Sequence, residues 1–361
     1  MIYNVIGLMS GSSLDGLDIA FMEIADVRSD WTYDLKCSAC IPFEEEMRNA
    51  LANASQLSVP DFLKLNTSFG RWIGEQVNEF ILHNQLIHKV SFLASHGHTV
   101  FHDPANYTST QIGEGATIAA VTGLTTISDL RNMDVALGGQ GAPIVPIADR
   151  LFFKDYQFCL NLGGIANVTV NKESPLAFDI SPANQVLDFY AKKNGVQYDK
   201  EGAFAQQGNV DETLFGSLNS LSYYNQPAPK SLANSYSQSI IDLVETHSSL
   251  PVNDILATLV KHIVFQIEKA VSPFIADAEN SSMLVTGGGA HNHFLIAQLT
   301  DSLQKHKIRV EVPDAQLVDQ KESLAMALIG VLRWREENNV LASVSGAKRD
   351  SIGGAMWLGN L

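Results

Sequence analysis

The feature that most restricts how this chain can fold is an order of elements that occurs twice. Residues 5–9 form a short apolar run that reads as a strand. A loop of small residues, Ser10-Gly11-Ser12-Ser13-Leu14-Asp15-Gly16, follows it, and alternating stretches at 17–24 and 33–41 read as further strands. Helical spacing covers 43–54 and 60–86, where Phe62, Leu65, Phe69, Ile73, Val77 and Phe80 recur at three- and four-residue steps. A buried strand at 90–94, a short helix at 116–122 and a strand at 125–128 complete the first series. The second series opens with a strand at 158–162, turns at Gly163-Gly164, and continues with strands at 166–170 and 176–178. Helical patterns then fill 182–193, 211–220, 233–247 and 253–272. Strands at 283–286 and 309–312 and a helix at 322–336 end it. Only the order repeats, not the sequence. Two such halves predict an α/β protein of two lobes, and 361 residues suit two domains at ~150 each. Gly138-Gly139-Gln140-Gly141-Ala142-Pro143 interrupts regular structure, so the division is expected within 129–145, with lobes of 1–130 and 131–361.

Composition narrows the function. Hydrophobic residues make up 45% and charged residues 17%, which suits a packed enzyme more than a solvating chain. The net charge is −15 and the 24 basic residues are scattered, so neither nucleic acid nor a membrane surface is an expected partner. The opening residues have no basic stretch followed by an apolar one, and no apolar run approaches the ~18 residues of a membrane span. A cytoplasmic location is therefore expected. Cys37 and Cys40 have the spacing of a redox or zinc pair, but they lie in an alternating strand pattern with no second pair, and read as small strand residues.

Three Gly-rich turns carry the chemical signal. There is no Gly-Lys dipeptide, which excludes a Walker A loop, and Gly113-x-Gly115 lacks the third glycine of a dinucleotide fingerprint. The 10–16 loop and Gly163-Gly164 sit at matching strand–strand turns of the two halves, where small residues let backbone amides approach a phosphate. Gly287-Gly288-Gly289 ends a strand and leads toward a helix near His291, a junction suited to a nucleotide. One such turn alone is a plain tight turn; three at corresponding places favour phosphate binding. Asp15 beside phosphates makes sense with Mg²⁺ between them. His96, His98 and His102 have the look of metal ligands, 96 and 98 sharing a strand face, but nothing at a fitting spacing completes the set, so hydrogen bonding is expected of them. Asp179, before Pro182 and an apolar-periodic run, reads on those grounds alone as a helix N-cap.

The ordered motifs resemble the anhydro-N-acetylmuramic acid kinases from residue 5 to about 330. The stretch from Gly7 to Gly16 is similar to that family's opening phosphate loop, and Asn161 to Asn167 to its second. The segments 96–102, 129–134, 138–143, 199–208, 229–231, 286–292 and 321–322 follow in family order. Phe178 to Asn184 resembles the segment with the family's catalytic aspartate, although Asp179-Ile180-Ser181-Pro182 stands where Asp-Thr-Gly-Pro is common. His98 stands where Gln is common, and Gly11-Ser12-Ser13 replaces Gly-Thr-Ser.

The resemblance implies two actin-like (ribonuclease H-like) lobes with ATP and Mg²⁺ between them. It implies hydrolytic opening of a 1,6-anhydro amino sugar and phosphorylation of its O6, with Asp179 as general base. It assigns Gly11, Ser12, Ser13, Leu14, Asp15, Gly16, Leu17, Asp18, Gly163, Gly164, Gly287, Gly288, Gly289 and Asn292 to the nucleotide. His96, His98, Arg131, Gln140 and Asn184 fall to the sugar, and Asp15 and Glu322 to the metal. Arg131 would pair with the lactyl carboxylate by its fork, or else with Asp129 or Asp134 as an ion pair. Glu322 would order Mg²⁺ or a helix end, and Lys230 has no role beyond the surface that residues alone assign. A homodimer is compatible with all of this. Two rival readings stay open: a kinase of the same fold for another sugar, and a non-enzymatic ATP-dependent switch.

Overall fold

The computed structural model describes residues 1–359 except Ser12, Asn234, Ser248 and 276–280. It divides into two compact units, one of 1–152 with 320–361 and one of 153–319.

In the first unit β1 (Ile2–Ser10), β2 (Gly16–Val27) and β3 (Asp30–Pro42) form an antiparallel meander. β4 (Phe92–Ser95) lies parallel to β1. A hairpin of β5 (His98–Asp103) and β6 (Thr108–Ile112) follows, and β7 (Thr126–Ser128) lies parallel to β4. On one sheet face Ile6, Leu8, Leu17 and Ile19 pack with Phe69, Ile73 and Val77 of the helix Val59–His83. Period-two strands meeting a period-3.6 helix explain that match. Ser58 starts the helix by accepting a hydrogen bond from the Asp61 amide. The opposite face is covered by the helix Ala315–Trp334. A Cβ on Gly7 would lie 1.9 Å from the Ser323 carbonyl oxygen, so only glycine admits this approach.

The second unit repeats the plan. β8 (Phe158–Leu162), β9 (Ile165–Val170) and β10 (Leu176–Pro182) form the meander, with β11 (Ser281–Thr286) parallel to β8 and β12 (Ile308–Glu311) parallel to β11. The sheet orders are β3-β2-β1-β4-β7 and β10-β9-β8-β11-β12, the same arrangement twice, and each unit has the actin-like (ribonuclease H-like) pattern. The first sheet carries one more edge strand, β13 (Ala355–Trp357), antiparallel to β7. In the second unit Phe158, Leu160 and Leu162 join a core with Leu256, Leu259 and Ile263 of the helix Val252–Val271.

The division falls elsewhere than at 130/131. Residues 131–152 and 320–361 group with the first unit. The cause is packing: the apolar stretch from Leu324 to Leu332 is buried against the first sheet, the Trp334 ring stacks on Phe92 at 5.0 Å, and β13 completes the edge. That helix also begins at Ala315, seven residues before the expected 322, where Asp314 accepts from the Leu317 amide.

Candidate functional site

In the second unit, two of the expected glycine turns come together because β8 and β11 are adjacent parallel strands. Gly287 has φ 81°, and a Cβ there would sit 2.4 Å from Asn161 Oδ1. Asn184 opens the helix Asn184–Lys193, donating its amide to the Gly163 carbonyl at 3.1 Å and its Nδ2 to the Leu162 carbonyl at 2.9 Å. Gly163, Gly164, Gly287, Gly288, Gly289 and Asn184 thus gather into one region rich in backbone amides, chemistry that suits phosphate. Asn184, expected at the sugar, braces this turn. Asn292 is a helix cap, its side chain accepting from the Leu295 amide at 3.0 Å.

Asp179 lies inside β10, and the next helix is capped at Ala183, so the helix-cap reading of Asp179 does not hold. Its Oδ2 accepts from the Leu232 amide at 2.8 Å, and its own amide donates to the Lys230 carbonyl at 3.0 Å. Burial raises its carboxyl above the ordinary range, against the hydrogen bonds from Leu232 and Ser231. A half-buried carboxylate so held can take a proton. Lys230 is no mere surface residue: Nζ donates to the Tyr223 carbonyl and lies 4.3 Å from that ring's centroid.

In the first unit, β1 delivers Ser10 and β5 delivers His98, whose Nδ1 is 3.1 Å from Ser10 Oγ. Ser12 lies outside the described residues, while Gly11, Ser13 and Leu14 form the turn, Leu14 donating its amide to the Gly11 carbonyl. Asp15 is exposed, and its carbonyl accepts from the Phe43 amide at 3.2 Å. Gly16 pairs with Pro42 as β2 begins, and Leu17 is 1% exposed within the core, so its side chain has no access to a ligand.

His96 and His98 do not share a strand, since β4 ends at Ser95 and Gly97 separates them. His96 Nδ1 donates to the Gly97 carbonyl at 2.9 Å, and its Nε2 accepts from Arg131 Nε at 2.8 Å. Burial and the neighbouring guanidinium bring its pKa down to about 3, so the ring is neutral and both nitrogens are engaged. His102 pairs with Ser109 on the hairpin.

Arg131 donates its Nη1 to the Gly141 carbonyl at 2.9 Å. Burial lowers its pKa to about 10, while Glu322 favours its charge. Asp134 is turned elsewhere, accepting from the Gly141 amide at 2.7 Å and from Ser345 Oγ at 2.6 Å. Asp129 accepts from Ser128 Oγ. The expected alternative of an ion pair with Asp129 or Asp134 is therefore replaced by His96, Gly141 and Glu322. With Nε and one Nη1 hydrogen engaged, the second Nη1 hydrogen and those of Nη2 are the donors that a ligand carboxylate would meet. Gln140 is exposed and donates its amide to the Ser345 carbonyl.

Burial raises the Glu322 carboxyl, and Asp18 raises it further, against Arg131 and Lys321. Its acidic neighbour is thus Asp18 more than the expected Asp15. Among the described residues no three His, Cys, Asp or Glu side chains gather as a metal site. Mg²⁺ needs only one or two carboxylates when phosphates and water fill its other positions, and Glu322, whose charge a neighbouring carboxylate disfavours, fits that need.

Beside these groups lies a cavity of about 140 Å³, lined among others by Asn66, Ser95, His96, Gln111, Glu114, Asp129 and Trp357. It sits at the carboxyl ends of β4 and β7, the usual place for ligands in α/β sheets. Ser95 Oγ is buried there and makes no hydrogen bond to a described residue. Such a lining suits a ligand rich in hydroxyls. The sequence reading missed Ser95, Glu114 and Trp357, and also the buried ion pair of Lys321 with Asp149 at 2.7 Å. None has a local pattern; β13 brings Trp357, and the helix Ala315–Trp334 brings Lys321, in from the far end of the chain.

The comparisons with known proteins agree in one direction. The family model described as anhydro-N-acetylmuramic acid kinase matches residues 3–359. The anhydro-N-acetylmuramic acid kinase of Gloeobacter violaceus is 34% identical, covering 95% of this chain and 96% of its own. That of Clostridioides difficile is 32% identical, covering 99% and 97%. Among solved structures, the activator of 2-hydroxyisocaproyl-CoA dehydratase from Clostridium difficile is similar with a TM-score of 0.45 at 13% identity, covering 93% of this chain and 96% of that one. That likeness is too distant to bear on function.

Proposed function

The chain belongs to the anhydro-N-acetylmuramic acid kinase family, and from that premise we propose the following reaction and the residues that perform it. The protein is an ATP-dependent sugar kinase of cell-wall recycling, a phosphotransferase with an alcohol acceptor. It opens 1,6-anhydro-N-acetylmuramic acid with water and phosphorylates the freed O6. Asp179 takes a proton from water as the water oxygen bonds to the anomeric carbon. The bond from that carbon to O6 breaks, and O6 accepts the γ-phosphoryl group of ATP, releasing ADP. In the second unit the backbone amides around Gly163 and Gly287 bind phosphate, and in the first unit those of the 10–16 loop do so. Glu322 with Asp18 or Asp15 would hold Mg²⁺, which neutralises phosphate charge when bound. The cavity beside Ser95 and His96 takes sugar hydroxyls, and Arg131 favours an acidic substituent. The cytoplasm is the proposed location and a homodimer the proposed assembly; no helix among the described residues is long and apolar enough to cross a membrane.

The observation that carries this reading is the Asp179 carboxylate, held from one side by the Leu232 amide and raised by burial. Its test is Asp179→Asn. The amide still accepts from Leu232, so the fold survives, but it takes no proton from water. The expected kcat loss is ~10²–10⁴-fold with ATP affinity retained. In wild type the base works only when ionised, so activity falls as pH drops through a pKa above the ordinary carboxylate range. Labelled water should appear at C1 and not at O6. An Asp179→Asn protein with most of its activity would place the base elsewhere.

A further inference from the structure

Two adjacent tyrosines grip the chain on either side of Asp179's neighbour, and their hydrogen bonds reach a buried histidine. β10 carries a bulge: Asp179 pairs with Asn167 and Ser181 with Ala166, leaving Ile180 without an opposite residue. A bulge of this kind re-aims side chains. Ile180 anchors it in the core at 1% exposure. Before the bulge, Tyr223 donates its hydroxyl to the Asp179 carbonyl at 2.7 Å. After it, the Tyr224 hydroxyl lies 3.1 Å from Ser181 Oγ and 3.0 Å from His262 Nε2.

The direction of the protons from Asn219 to Tyr224 is determined. Asn219 Nδ2 donates to the Phe215 carbonyl, so its Oδ1 is an acceptor, and it faces His262 Nδ1 at 2.8 Å and Gln266 Nε2 at 2.7 Å. His262 Nδ1 must therefore carry hydrogen. The ring is 1% exposed, and burial brings its pKa down to about 3, so it is neutral and Nε2 accepts. Tyr224 O–H then donates to Nε2. Its oxygen is left to accept, and the Ser181 hydroxyl at 3.1 Å ends the series, its one hydrogen shared between Tyr224 and the Pro182 carbonyl at 3.0 Å. The residue that stands where the kinases of this family commonly have glycine is thus matched to Tyr224 and His262.

We propose that Tyr223 and the Ser181–Tyr224–His262–Asn219 series form a clamp that fixes the β10 bulge and so aims the Asp179 carboxylate. These are positioning residues, and the proposal rests on the reading of Asp179 as the base.

The test measures ADP release from ATP and 1,6-anhydro-N-acetylmuramic acid, with melting curves, for Tyr223→Phe, Tyr224→Phe, Ser181→Ala, the double variant of the last two, and Asp179→Asn. Phenylalanine keeps the ring packing. Tyr223→Phe is expected to lower kcat about 10- to 100-fold, the scale of a small misplacement of a reacting group, with KM for ATP within about twofold. Tyr224→Phe and Ser181→Ala should each lower kcat similarly, and the double variant little further, because both break one series. If Asp179→Asn is inactive while the tyrosine variants keep wild-type kcat and lose only melting temperature, the clamp is structural and the proposal fails while the base reading stands. If Asp179→Asn is active, both fail. Should Ser181→Ala not fold, Tyr223→Phe alone decides, since it acts on the other side of the bulge.

Discussion

At the scale of single residues, burial decides which protonation state each group holds. His96 is neutral because its ring is buried beside Arg131, and its two hydrogen bonds name the tautomer. Arg131 is the more consequential of the pair, joining His96, just after β4, to the Gly141 carbonyl. Lysine would keep the charge but not the fork that reaches both. Arg131→Lys is expected to raise KM for the acidic amino sugar roughly 10-fold, the worth of about one charge-assisted hydrogen bond, while KM for ATP moves less than about twofold. Equal losses for both substrates would mean that Arg131 only braces the 138–143 loop.

At the scale of elements, Glu268 shows how one side chain ties helices together. It projects from the helix Val252–Val271 to Ser302, Lys305 and His306 at the end of the helix His293–Gln304. Burial alone would raise its carboxyl, but the hydrogen bonds from Lys305, Ser302 and His306 outweigh it and bring the pKa to about 2. A depressed carboxylate stabilises the fold fully above its unfolded pKa. That contribution is lost as pH falls through the folded value. Lys305 is 61% exposed, so solvent screens part of the coupling. Glu268→Gln is expected to cost about 1–2 kcal/mol at pH 7, and the gap to wild type should narrow from about pH 4 downward. Melting curves of both proteins from pH 7 to pH 3 check this; a gap constant with pH would remove the charge from the account.

At the scale of the whole molecule, the first unit is made from both ends of the chain. Residues 320–361 supply the helix that covers β1 and β4, the edge strand β13, and Lys321, whose buried partner is Asp149. Without them the apolar face of that sheet lies open and Asp149 keeps a buried charge, which costs several kcal/mol where a buried pair is broken. A fragment of 1–152 is expected to lack a dispersed amide NMR spectrum. Joining it to 320–361 through a flexible Gly/Ser linker should restore one. A well-dispersed spectrum from 1–152 alone would show that the covering helix is dispensable.

The sequence by itself determined the doubled order of strands and helices, because periods of 2 and 3.6 are local properties of a few adjacent residues. It also located the glycine turns, which are legible within a few adjacent residues. The unit boundaries, the partners of Arg131 and the tyrosines at the β10 bulge were decided by tertiary structure alone. Each depends on contact between residues far apart in the chain, as with Ser345 and Asp134 or Tyr224 and His262. Reading Asp179 as a helix cap failed for the same reason: the amide that it accepts from belongs to Leu232, fifty-three residues away, and no local pattern announces it.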